Sequence, residues 1–167
     1  MAPTIAPDSR PAAILIRLFP SQIDNDFDGN RAALWLLGLF IALKLAMSIN
    51  SIVNTASVAA GADGIPLDSF GPAAARAVLM LFAIMSLGQL ILALIALTAL
   101  IRYRAMVPLI YLVLLGEQLG RRFIVQSYAV ARTEGAAAGT YVTFGLLALL
   151  AFGLALSLIR GRGRARS

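Results

Sequence analysis

Apolar residues in this chain gather into four long runs, with none of the short alternating stretches of a β-sheet. The first covers about residues 32–53 (AALWLLGLFIALKLAMSINSIV) and the second about 73–101. The second is long enough that its start, 73–78, reads as an amphipathic entry lying in the membrane interface. The third begins near residue 105 and is strongly apolar to Leu115. It then meets Glu117, Gln118, Arg121 and Arg122 before resuming as FIVQSYAV, to about residue 130. The fourth covers about 140–159. A hydrocarbon core of ~30 Å needs ~20 helical residues. Each run reaches that length, the third only if its charged stretch stays helical. The pattern predicts an all-α integral membrane bundle of four transmembrane helices, preceded by a short interfacial segment.

Lys44 interrupts the first run, so its insertion has to be checked. Ten leucine, isoleucine and phenylalanine residues accompany it, from Leu34 to Ile52. At roughly −0.3 to −0.6 kcal/mol each they supply about −3 to −6, against roughly +2.5 to +3.5 for a central lysine. The segment inserts, with less margin than the others.

The connections are punctuated by turn formers. Little more than Arg102-Tyr103-Arg104 joins the second and third runs, which forces an antiparallel hairpin. Pro108 falls in the first turn of the third helix, where a missing N–H costs least. The 61–72 loop, GADGIPLDSFGP, is acidic and turn-rich, and the 132–139 connection is short and rich in small residues. Three regions follow: an N-terminal segment, 1–30; a transmembrane domain, 31–160; and a basic tail, 161–167, with nothing to bury and so expected to be disordered.

Basic residues set the orientation. Arg10, Arg17, Arg31, Arg102, Arg104 and the tail arginines 160, 162, 164 and 166 share one side; Arg76, Arg121, Arg122 and Arg132 fall on the other. Both termini are therefore expected in the cytoplasm. Residues 1–9 carry no basic n-region, and the short run 12–19 is broken by Arg17 and closed by Pro20. The N-terminus is thus expected to stay on the protein, with the first span as an uncleaved anchor. Residues 12–19 are amphipathic enough to lie on a membrane surface.

Composition narrows the chemistry. The chain is 60% hydrophobic and 13% charged, well away from the ~25% charged of a soluble domain. Of its 14 basic residues, Lys44 alone is lysine. With the frequent Ala and Gly, that bias points to a GC-rich bacterial genome and hence a bacterial inner membrane. The net charge of +6 is concentrated at segment ends and in the tail. It reads as an orientation signal, with anionic lipid as a partner of the tail, and not as a nucleic-acid footprint. Cysteine and histidine are absent. The common haem, iron–sulfur and zinc sites, thiol–disulfide chemistry and Ser-His-Asp or Cys-His catalysis therefore lack their residues, and no cofactor, metal or catalytic residue is expected. Asp24-Asn25-Asp26-Phe27-Asp28-Gly29 opens like a calcium loop, but the twelfth position holds Trp35 in place of the bidentate glutamate. The plainer reading is that Asp26, Asp28 and Asn30 cap the first span.

One polar layer stands out. Lys44, Gln89 and Glu117 each lie 12 positions from one end of their runs, roughly 18 Å in at 1.5 Å per residue. They are expected to meet inside the bundle, Lys44 pairing with Glu117. On the first span the face of Lys44 continues through Ser48, Ser51 and Thr55, so Arg121, Arg122 and Asn54 could extend a polar strip outward. Within the third span Glu117 and Arg121, and Gln118 and Arg122, stand four apart on shared faces. Small residues at packing intervals, Ser86, Ala93 and Ala96 on the second span and Gly145, Ala148 and Ala155 on the fourth, are expected at helix contacts.

These features weigh first towards a non-enzymatic accessory, assembly or scaffold protein working through helix contacts with itself or another membrane protein. The rival is a small transporter or ion-conducting subunit using the Lys44/Glu117 layer. A lipid-active enzyme using Asp63 and Asp68 comes last, since no catalytic spacing supports it.

Overall fold

The computed structural model describes residues 10–128 and 137–159. It is helical, with six α-helices: α1 (Arg10–Leu18), α2 (Arg31–Val53), α3 (Thr55–Gly61), α4 (Pro72–Arg102), α5 (Val107–Ser127) and α6 (Ala137–Leu158). Helices α2 and α4 and residues Gly139–Leu158 of α6 are each long and apolar enough to cross a membrane. Helix α5 has comparable length but concentrates Glu117, Arg121 and Arg122 in its second half.

Local chemistry explains the helix ends. The Asn30 side chain accepts a hydrogen bond from the Ala32 amide at 3.0 Å, so the capping role falls to Asn30 and satisfies one orphan donor of the first turn. Gly71 precedes Pro72 at the start of α4, and Pro108 sits in the first turn of α5. Helix α2 breaks at Asn54, whose side chain donates to Asn50 Oδ1 at 2.8 Å. Just past it the Thr55 hydroxyl donates to the Ile52 carbonyl at 2.9 Å, a side-chain bond of the kind that competes with the helical ladder, and the chain resumes as α3. Between α4 and α5 lies a single 3₁₀ turn, Arg104–Met106.

Helix α2 packs against α4 on one side and α6 on the other. Helix α5 packs on α6 and touches α4 more sparingly, which places it diagonally across from α2. One end of the bundle, the near end below, gathers the start of α2, the α4–α5 turn and the end of α6. The Asn30 amide donates to the Leu156 carbonyl at 3.2 Å and the Ala105 amide to the Asp24 carbonyl at 3.3 Å. Arg17 donates to the Leu158 carbonyl. Helices α2 and α5 therefore run one way, α4 and α6 the other.

The apolar core is one cluster centred on Leu37, Phe40, Ile41, Tyr111, Leu114 and Leu150. Tyr111 is wholly buried and donates to the Ala33 carbonyl across the diagonal at 2.6 Å. Its ring lies where a Cβ on Gly153 would stand, so only glycine fits there. This corrects the expected packing face of the fourth span. Gly145, Ala148 and Ala155 face outward, and the buried face is Leu146, Leu150, Gly153 and Ser157. Helix α6 is apolar all round, so nothing in its own sequence selects a face; the Tyr111 ring does. On α4 the expected residues Ser86, Ala93 and Ala96 are all buried.

The third run was expected to stay helical to about residue 130. Helix α5 runs unbroken through its charged stretch to Ser127; residues 129–136 lie outside the described residues, as do the tail 161–167 and its arginines. The amphipathic segment at 12–19 is helical as far as the end of α1 at Leu18, with Ile14, Leu15 and Ile16 exposed, as is Phe19 just beyond.

Candidate functional site

Lys44 sits 13 residues into α2 and Gln89 sits 13 before the end of α4. At 1.5 Å per residue both lie ~20 Å from the near end. Glu117 lies at their level, because the Gln89 amide donates to Glu117 Oε1 at 2.6 Å. The same carboxylate oxygen meets Arg121 Nε at 3.4 Å, one turn along α5. Arg121 also donates through Nη2 to Gln118 Oε1 at 2.7 Å. A connected string Gln89–Glu117–Arg121–Gln118 thus spans the α4–α5 seam.

Lys44 approaches this string from α2 without joining it. Its side chain is inside, at 5% exposure, and the charges of Arg121 and Glu117 both reach it. Among the described residues no acceptor lies within hydrogen-bonding or ion-pairing distance of its ammonium. The expected Lys44–Glu117 ion pair is not formed, for a geometric reason. Helix α5 lies diagonally across from α2, whereas Arg121 is on the carboxylate's own helix and Gln89 on the adjoining one. Both reach Glu117 first.

Three further polar atoms of the layer are buried without a partner: Gln89 Oε1, Glu117 Oε2 and Gln118 Nε2. Gln118 is only 1% exposed. A buried donor or acceptor left unmade costs ~1–3 kcal/mol, and such atoms are few in native structures. The layer therefore holds two spare donor groups, the Lys44 ammonium and the Gln118 amide, and two spare acceptors.

The other residues of the expected strip separate. Ser48, one turn beyond Lys44, is buried; Ser51 is half-buried. Asn54 is exposed and bonded to Asn50. Arg122 does not pair with Gln118: its guanidinium stacks over the Phe144 ring of α6, 4.2 Å from the centroid. Gln118 belongs more centrally to the layer than the sequence reading allowed. The signal was available, since Gln118 continues the stripe Val107, Tyr111, Leu114 at helical spacing and so lies on the most buried face of α5.

The two sides of the layer differ. Every member of the apolar cluster lies towards the near end or at the level of the layer. Beyond it, among the described residues, the buried side chains are Ser48, Ala59, Phe82 and Ser86. The last turn of α5, residues 123–128, is exposed throughout. The layer thus stands on an apolar plug, and two of the four buried side chains beyond it, Ser48 and Ser86, are polar.

At the near end a cleft of about 380 Å³ is lined by residues of the 20–29 segment, including Asp24, Asp26 and Asp28, with Arg17 and Ser157. Asp24 accepts from the Asp26 amide at 3.0 Å. Among the described residues no three His, Cys, Asp or Glu side chains are grouped to hold a metal ion. Comparison with protein-family models, characterised proteins and solved structures returns no match, so the site stands on its own geometry.

Proposed function

We propose that this chain is a non-enzymatic, four-span protein of a bacterial inner membrane, with both termini cytoplasmic, that admits a small polar solute or ion to the Lys44–Glu117 layer from the periplasmic side. The fourth span is α5. What supports its insertion is that Glu117 and Arg121 neutralise each other and Arg122 covers its charge with an aromatic ring. The near end, with its basic α4–α5 turn, is the cytoplasmic one by the charge rule. The buried serines beyond the layer, Ser48 and Ser86, then lie on the side away from the cytoplasm.

One observation carries the functional reading: the Lys44 side chain is buried in the bundle with no partner among the described residues, beside three orphaned polar atoms. Ionisable groups at membrane depth are costly and mark solute or proton paths. A layer that served only to fix register between helices would have its groups paired with one another. For that reason the accessory or scaffold role, first on sequence grounds, takes second place.

The test is flux into liposomes containing the purified protein. Solute- or pH-gradient-driven flux should appear and should be lost in Lys44→Ala and Glu117→Ala variants that still fold. Absence of flux, with stable co-purification of another membrane protein, would favour the scaffold role instead.

A further inference from the structure

The chemistry of the layer narrows what it accepts. The following inference rests on the solute-binding reading above. Lys44 and Arg121 bring two positive charges, Glu117 one negative; Glu117 and Arg121 are joined, so the excess is the positive charge on Lys44. The Lys44 side chain is buried and its ammonium makes no hydrogen bond or ion pair among the described residues; Gln118 Nε2 is an unmatched buried donor, and Glu117 Oε2 and Gln89 Oε1 are unmatched buried acceptors. A bare anion answers the donors and leaves the acceptors stranded. A cation answers the acceptors and leaves Lys44 uncompensated. A molecule that satisfies both sets joins a single negative charge to a hydrogen-bond donor a few atoms away.

We propose that the layer is a binding site for a small monocarboxylate bearing a hydroxyl or amino group, its carboxylate held by Lys44 and Gln118 and its donor by Glu117 and Gln89. The planar carboxylate suits two donors arriving from different helices, α2 and α5. The second group is recognised because a site with buried acceptors rejects an analogue that leaves them unpaired. Ser48, buried one turn further out on α2, lies on the way in.

The experiment is thermal unfolding of the full chain in mild detergent, titrated with sodium glycolate, sodium acetate and sodium chloride at matched ionic strength. Glycolate should raise Tm saturably, acetate more weakly, and chloride not at all. Lys44→Met and Gln118→Met should each weaken glycolate binding at least about tenfold, the worth of one charge-assisted hydrogen bond. Gln89→Leu should bring glycolate down to the level of acetate. 2-Hydroxyoctanoate in the same titration assigns the source: binding supports the site in either case, and preference over glycolate means that the carboxylate arrives from the lipid. No saturable shift with any carboxylate, an equal response to chloride, or an unchanged response in Lys44→Met would overturn the assignment. Saturable glycolate binding without liposome flux supports this site while removing the transport reading. Flux without carboxylate binding does the reverse.

Discussion

Replacing Lys44 by methionine removes the ammonium of a buried side chain that no described residue satisfies, while keeping an unbranched side chain of similar length. On the insertion scale a lysine near the centre of a span is unfavourable by roughly 2.5–3.5 kcal/mol. Two charges could offset or add to that figure. Arg121 repels Lys44 and outweighs the attraction of Glu117, so the two charges leave the penalty in place. Part of the penalty persists in the unfolded, micelle-bound chain. The expected gain for Lys44→Met is therefore about 1–3 kcal/mol, the sign being opposite to that of most substitutions of buried residues. Equilibrium unfolding of the purified protein in detergent, in a buffer free of carboxylates, measures it directly. A variant less stable than the parent by 1 kcal/mol or more would refute the reasoning, since it would mean that Lys44 has a partner. A residue that lowers stability and is nevertheless present at the heart of a bundle is the signature expected of a working site.

Other substitutions should behave differently. Glu117→Gln leaves Lys44 and Arg121 without a counter-charge. It should destabilise by about 2 kcal/mol, less than the 3–5 of a fully buried pair, because the Glu117 and Arg121 side chains keep 23% and 31% exposure. Gly153→Ala drives a methyl into the buried Tyr111 ring and should cost about 1–3 kcal/mol, whereas Gly145→Ala, with nothing within 4 Å, should be neutral or stabilising by up to ~1 kcal/mol; both are read from the same unfolding curves. Reporter fusions at Ser167 and within the 61–72 loop should report opposite sides of the membrane, and agreement between them would break the four-span topology.

Helix positions were legible because a membrane span is a matter of length and apolarity, and the ends of α2, α4 and α6 fall within three residues of the apolar runs. The survival of α5 through Glu117–Arg122 was legible too, from the four-residue spacing of Glu117 and Arg121. Depth could also be counted: Gln89 and Glu117 do meet at one level. What counting along a helix leaves out is azimuth. Nothing in the chain says that α5 lies diagonally across from α2, so the pairing of Lys44 with Glu117 was the natural expectation, and Gln89 on the adjoining α4 took its place. The same gap explains the fourth span. Gly145, Ala148 and Ala155 have the right spacing for contact, but in an evenly apolar helix the choice of face belongs to the partner, and Tyr111 reaches Gly153. From spacing alone Gln118 pairs with Arg122, four residues on; it belongs to the layer because it continues the buried stripe Val107, Tyr111, Leu114.

The central claim is that the polar layer is reached from one side and sealed from the other by the apolar plug. The chain contains no cysteine, so single cysteines report without background. The decisive measurement is labelling of Ser48→Cys by a membrane-impermeant thiol reagent, added separately to right-side-out and inverted vesicles, with Leu37→Cys as the plug control. Ser48→Cys should react from the face bearing the 61–72 loop and not from the face bearing the α4–α5 turn, and Leu37→Cys from neither. Labelling of Ser48→Cys from the α4–α5 face, or from no face at all while the protein remains folded, would contradict the account.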